Sequence, residues 1–377
     1  MVGRYRLGTI LIAWVSLLLL WLPFGVKLDS LAGIKFGKVG FERIVQNFDG
    51  LNFLIVAKTG YDPILIETNY QEILAQRKPL YFAAHYPLWP VIIRLFDTFT
   101  TGPRALLISI VAVNGLLAWI LFEFFRQGLK NPSQAMWLAV VALFWPARML
   151  ADRAVGSNEP LFMVLILGSL ILAKNGRHWW AGIVGALAVL TRSPAIILFA
   201  AYGLMAVIPK SSLLDKLKRV LPYLTMPTVL LLLWMYYGFR FGSFWAYFQV
   251  GGNLNLYWPF AVFASGLPWT GGMWMEDIVY LLAFYGIGVW AYVKRRGWNA
   301  LSMFGVLYLI FTLLVAHRDM SRYMLPISPI AILGWTEVIS FKPLRWLLVA
   351  LLIPIFLFAW QFVIANYQPV SDWTNFL

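Results

Sequence analysis

The sequence predicts an all-α, polytopic membrane protein built as a single unit over residues 1–377, with about eleven membrane segments. Three observations predict it. Of its 377 residues, 61% are hydrophobic and 12% charged, against about 45–50% and about 25% in an average soluble domain. The apolar residues gather into runs close to the roughly 20 residues that a helix needs to cross a bilayer. Lys and Arg fall between these runs in short clusters, as the loops on the cytoplasmic side favour.

The elements follow in order. Apolar runs lie near 8–27, 103–125, 134–147, 158–173, 220–239, 277–293, 298–316, 322–340 and 345–365. The first follows Arg4 and Arg6; it is long for a signal-peptide core and lacks a small-residue cleavage site, so a retained helix is expected. The stretch 179–209 exceeds one crossing and is interrupted at Thr191-Arg192-Ser193-Pro194. Proline removes a backbone donor and an arginine at mid-bilayer is costly. That stretch is therefore expected to enter and return as two short helices. With the N-terminus inside, Arg126 and Lys130, Lys174 and Arg177, Lys210 to Arg219, Lys294 to Arg296, and Lys342 with Arg345 all fall inside. The C-terminus is then outside, and the stretches 241–275 and 346–377 contain no Lys or Arg.

The first outer loop, 28–102, is large and charge-balanced, with six acids and seven bases between Lys27 and Lys78. Its segments 41–58 and 84–97 are amphipathic and are expected to lie as interfacial helices on the membrane. The remaining 103–377 forms the helical bundle. There is no internal repeat, which counts against transporters built from two related halves.

Several function classes drop out. The net charge of +14 sits in loop clusters rather than along one soluble face, so no nucleic-acid partner is expected. Zero Cys removes disulfide and thiolate chemistry. His85, His178 and His317 are too scattered for a histidine metal cage. Asp49, Asp152 and Glu159 could share a divalent cation, but oxygen ligands on separate segments do not indicate one. No cofactor is expected.

In this topology the ionisable residues outside the basic loops converge on the outer side: Asp49, His85, Arg148, Asp152, Arg153, Glu159, Arg192, Arg240, Glu276, His317, Arg318, Asp319 and Arg322. Each alone has an ordinary explanation. Asp49 and Glu159 stand where helix caps would, His85 suits an interface, Arg192 could bridge to Asp152, and Arg318 could form a surface pair with Asp319. Their convergence on several helix ends suits an anionic substrate, such as a phosphate, at the membrane surface.

The most specific segment is Phe48-Asp49-Gly50, followed by Phe53 and by Ala57-Lys58-Thr59-Gly60-Tyr61. An aromatic-Asp-Gly turn, an aromatic and Ala-x-x-Gly-Tyr resemble the first outer loop of the PIG-V-like integral membrane mannosyltransferases. These are GT-C-class, lipid-phosphate-sugar-dependent glycosyltransferases. Further matches follow in chain order. His85-Tyr86-Pro87-Leu88-Trp89-Pro90 with Ile93-Arg94-Leu95 resembles the family's Phe-Pro-Leu-Tyr-Pro segment. Ser157 to Phe162 resembles its Ser-Glu-Ser-Leu-Phe, and Gly185 to Pro194 its Leu-x-x-x-Thr-Arg-Pro break. Phe241 to Phe248 resembles its Gly-Asp-Pro-Leu-Ala-Phe, and Arg322-Tyr323 with Pro326 its Arg-Tyr-x-x-x-x-Pro. The likeness covers roughly residues 45–330. Phe48 stands where the family has Trp, Phe53-Leu54 where it has Trp-Tyr, and Ser243-Phe244 where it has an acid and a Pro.

The resemblance implies a GT-C-like fold and transfer of a sugar, mannose in the family, from a polyprenyl-phosphate-linked donor to a glycan or glycolipid acceptor, with inversion. It implies Asp49 as the catalytic base. Arg322, Arg192 and His317 would serve the donor phosphate, and His85, Glu159, Asp152 and Tyr61 the sugar or acceptor. Short loops and a lean chain point to a prokaryotic plasma membrane with the site facing outside, the endoplasmic reticulum being the alternative compartment. The competing reading from another class is a transporter or flippase of a lipid-linked anion, which requires ionisable residues at mid-depth reachable from both sides.

Overall fold

In hydrocarbon a chain must satisfy its own backbone donors and acceptors, and the helix does so within one segment. The computed structural model, which describes residues 2–47, 49–74, 77–250, 258–264, 270–315 and 317–377, is accordingly helical nearly throughout. The one sheet among these residues is a two-residue hairpin pairing Ser30–Leu31 with Ile34–Lys35. Phe48 and parts of the 241–275 stretch lie outside the described residues.

The chain opens with α1 (Val2–Gly25) and then runs through α2 (Gly50–Thr59) and α3 (Leu88–Asp97) in the large loop. The bundle continues with α4 (Gly102–Gly128), α5 (Pro132–Phe144), the short α6 (Arg148–Arg153) and α7 (Glu159–Lys174). Next come α8 (His178–Val189), α9 (Ile196–Val207) and α10 (Leu213–Phe241). The last are α11 (Gly272–Arg296), α12 (Ala300–Leu314), α13 (Met320–Tyr323), α14 (Ser328–Gly334) and α15 (Lys342–Ala365). Five of these, α1, α4, α10, α11 and α15, are long and apolar enough to cross a membrane. On α1, Leu7, Leu11, Val15, Leu18 and Leu22 form one exposed stripe while Ala13, Leu17, Leu20 and Phe24 are buried. An outward leucine stripe of that length is a liability in water and the natural surface in lipid.

The helix ends sort by charge. Arg6 meets Glu123 at 2.5 Å and Arg126 meets it at 2.7 Å. Lys174 Nζ donates to the Gln127 carbonyl and Arg296 to that of Gly128, each at 2.9 Å, while Arg345 lies over Trp137. The basic clusters thus collect at one end of the bundle. At the other end the chain leaving α15 is tied to the large loop. Asn47 bridges to Tyr367, Gln368 N–H donates to the Gln46 carbonyl at 3.0 Å, and Tyr70 donates to the Asn375 carbonyl at 2.7 Å.

Two expectations change. The segment 41–58 does not lie on a surface: every residue from Gly50 to Ala57 is buried, because α2 is wedged against α3 and α4. In 84–97, α3 buries Trp89 and Ile93 and exposes Val91, Arg94 and Leu95, so this segment keeps the two faces the sequence predicts. Arg153 also leaves the outer group. Its guanidinium turns back into the bundle to the Ala13 carbonyl and Ser16 hydroxyl of α1, Asn114 Oδ1 of α4 and the Leu143 carbonyl of α5. Ala13, Ser16 and Asn114 stand near the midpoints of their helices, and Arg153 has no solvent exposure.

Candidate functional site

The break at Thr191-Arg192-Ser193-Pro194 falls where the sequence put it, between α8 and α9, with Ser193–Ala195 forming a single 3₁₀ turn. Each flanking helix has 12 residues. At 1.5 Å per residue each reaches about 18 Å, short of a hydrocarbon core of roughly 30 Å. α8 starts from the basic end and α9 runs back to it, so a hairpin of this length falls short of a full crossing. A recess follows, and Arg192 stands at its floor.

Other segments converge on the same recess. Leu88 N–H donates to the Leu190 carbonyl at 2.9 Å, fixing the large loop to the apex. Asp49 occupies the N-cap position of α2, but its side chain caps nothing. Its Oδ1 faces His85 Nε2 at 3.5 Å and its Oδ2 faces Arg322 at 3.3 Å. A close approach of two glycines permits this, since a Cβ on Gly156 would stand 2.5 Å from Gly50 Cα. The Asp49 turn can therefore sit directly on the turn that leads into Glu159.

Glu159 opens α7 yet does not cap it either. Its carboxylate accepts from Arg322 Nε and from Arg322 NH2 at 3.1 Å, is paired with Arg192, and accepts from the Ser157 hydroxyl. Arg322, on α13, is shared between Glu159 and Asp49. Arg192 also donates to Asn158 Oδ1 at 3.1 Å. Two carboxylates and two arginines thus alternate along one chain of contacts. Charge-assisted bonds of this kind fix geometry as well as contributing energy.

Burial alone would raise the pKa of Asp49, but the His85 hydrogen bond and the Arg322 charge outweigh it and hold the carboxyl well below the usual range. Its side chain keeps 30% exposure to the recess. Burial, against the pull of Asp319, lowers the pKa of His317, so this ring is neutral at pH 7. Its Nδ1 accepts from Asp319 N–H at 3.0 Å, which leaves the proton on Nε2.

The recess holds a cavity of about 400 Å³ lined by Asp49, His85, Arg192, Arg322 and His317. Five of the eight residues singled out by sequence therefore come together. The other three stand behind them. Tyr61, 3% exposed, donates to the His85 carbonyl at 2.5 Å and so holds the histidine backbone. Glu159 steadies the two arginines. Asp152 is fully buried and bonds Arg148 at 2.9 Å, and Arg148 in turn faces Asp319 at 3.4 Å. None of the three lines the cavity: Glu159 and Asp152 are bonded to arginines and Tyr61 to the His85 backbone. Arg192 is paired with Glu159 and not with Asp152. Arg240, bonded to Tyr236, and Glu276, bonded by Tyr280, lie elsewhere. Among the described residues no three His, Cys, Asp or Glu form a metal-holding group. Arg322 contacts both Asp49 and Glu159.

The cavity wall also contains Tyr81, Asn158, Tyr247, Asn366 and Gln368, which the sequence did not single out. Tyr247 is hydrogen-bonded to Ser193 at 2.7 Å. Asn366 and Gln368 follow the last apolar run, and this polar pair in a Lys- and Arg-free stretch was the only available signal. No family model matches the chain and no curated protein matches it.

Proposed function

We propose that the chain is an integral membrane glycosyltransferase of the GT-C type, akin to the PIG-V-like mannosyltransferases. In this reading it transfers a sugar, mannose by resemblance, from a polyprenyl-phosphate donor to an acceptor hydroxyl with inversion. The observation that carries the reading is the Asp49–Arg322–Glu159–Arg192 chain of contacts at the floor of a polar recess. The eleven-segment topology goes with it, in which α8 and α9 form the hairpin, α12 and the pair α13–α14 each make a pass, and the basic end faces the cytoplasm.

In the reaction, the Asp49 carboxylate takes the acceptor hydroxyl proton as that oxygen bonds to the anomeric carbon. The bond from that carbon to the lipid phosphate oxygen breaks, and the phosphate leaves with the electron pair. Arg322 and Arg192 meet its growing charge, with His317 Nε2–H a further donor. The recess is close to charge-balanced, so the anion is held by aimed donors rather than by net field. A donor phosphate drawing on Arg322 also loosens that arginine's hold on Asp49. The carboxylate then becomes more basic once donor is bound, which is when a base is needed.

A carrier or flippase requires a mid-depth ionisable group reachable from both sides. Arg153 is at mid-depth, but it is fully enclosed and its bonds are to neutral protein groups, which favours the enzyme.

Asp49→Asn in purified protein, given a radiolabelled polyprenyl-phosphate mannose, is expected to lose about 10²–10⁴-fold in transfer while donor binding persists. Arg322→Ala is expected to weaken donor binding. Full transfer by Asp49→Asn removes Asp49 from the mechanism, and unchanged donor affinity in Arg322→Ala moves the phosphate elsewhere.

A further inference from the structure

The proposed reaction makes no use of a second cavity at the basic end. Glu159 and Lys174 stand at opposite ends of α7, about 22 Å apart at 1.5 Å per residue, and the second cavity opens beside Lys174. It holds about 630 Å³ and is walled by Phe124, Leu170, Met205, Ala206, Leu301 and Leu333. Lys174, Arg219 and Arg296 line it too, and all three are exposed. No Asp or Glu lines it. Of the acids on neighbouring turns, Glu123 is engaged by Arg6 and Arg126 and Glu337 by Arg295, while Asp215, one turn before Arg219, accepts from the Ser212 hydroxyl.

Lys174 and Arg296 are anchored on the last carbonyls of α4, those of Gln127 and Gly128. Cations are favoured at a helix C-terminus, and bonds to carbonyls leave their charge unneutralised. Beside these cations the exposed His178 has its Nδ1 2.8 Å from the hydroxyl of the buried Tyr223, and Tyr223 stacks on the buried Tyr202 at 4.1 Å. The cavity thus has a cationic, acid-free mouth over an apolar hollow, and its size is ordinary for a ligand site.

We propose that this cavity binds an anionic phospholipid of the leaflet at the basic end, with its phosphate among Lys174, Arg219 and Arg296 and an acyl chain in the hollow. The charge at the mouth selects the anion, and the depth of apolar wall selects an amphiphile over a free ion. Juxtamembrane Lys and Arg attract such headgroups in general; here three are fixed around one opening.

Native mass spectrometry of the full-length protein, titrated with dioleoyl phosphatidylglycerol or dioleoyl phosphatidylcholine, tests this. Phosphatidylglycerol is expected to bind at least about tenfold more tightly than phosphatidylcholine. The double variant Arg219→Gln/Arg296→Gln is expected to lose about thirtyfold for phosphatidylglycerol. Ala206→Phe fills the hollow at unchanged charge and is expected to weaken both lipids. Arg219→Gln alone, at an exposed position, supplies the charge readout if the double variant does not fold. Asp49→Asn keeps phosphatidylglycerol binding, so failure of the transferase reading leaves this one intact. Equal binding of the two lipids, or unchanged affinity in the charge variants and in Ala206→Phe, overturns the proposal. Displacement of the lipid by millimolar inorganic phosphate overturns it as well, since the site would then belong to a soluble anion.

Discussion

Asp49 is held between an imidazole and a guanidinium. A carboxylate facing both His85 and Arg322 stays ionised far into acid. Since its folded pKa is depressed, its contribution to stability is fully present above its unfolded value of about 4 and is lost only as the pH falls through the lower folded value. Thermal melts of the wild type and Asp49→Asn are therefore expected to stay a constant interval apart from pH 5 to 8 and to converge only below about pH 4. Convergence between pH 5 and 6 would contradict the pairing. His317 gives a second residue-level expectation. Because its ring is neutral and carries its proton on Nε2, His317→Gln, whose amide can also donate, is expected to keep more donor affinity than His317→Ala. Equal losses in the two would remove the hydrogen-bond role.

At the level of elements, the interrupted stretch 179–209 and the glycine that ends α2 were both readable, because proline and Gly60 (φ 56°) punctuate helices by plain steric rules. Depth was not readable. Arg148 and Arg153 lie on one short helix, α6, yet Arg148 reaches toward the recess while Arg153 is drawn into the bundle. Sequence order places both beside the same turn, and only the packing of α1, α4 and α5 separates them. The same limit hid Glu159, Asp152 and Tyr61 behind the residues they steady. The Gly50–Gly156 approach yields a test at this scale. Gly156→Ala must push the Asp49 turn away from Arg322, costing roughly 1–3 kcal/mol of stability and, for a displacement near 1 Å, about 100-fold in transfer. Activity equal to wild type at unchanged stability would mean that the turn is not fixed by this contact.

Across the whole molecule, charge patterning carried most of what the sequence could say. The basic clusters meet at one end of the bundle, and most of the ionisable residues without a loop role meet at the recess, Arg153, Arg240 and Glu276 being exceptions. The tail after α15 returns to the large loop, so a reporter fused after Leu377 is expected to read on the non-cytoplasmic side, whereas a cytoplasmic reading would reverse the orientation of the recess. Asn366 and Gln368 escaped notice because they enter the cavity wall only through that return, a long-range pairing with Gln46 and Asn47 that no local pattern encodes.

Arg153 also constrains how the chain is made. Its hydrogen bonds reach α1, α4 and α5, at residues up to 140 positions before it in the sequence. A guanidinium released singly into hydrocarbon would have none of these partners. The set α1, α4 and α5 is therefore expected to enter lipid together with α6 rather than one helix at a time.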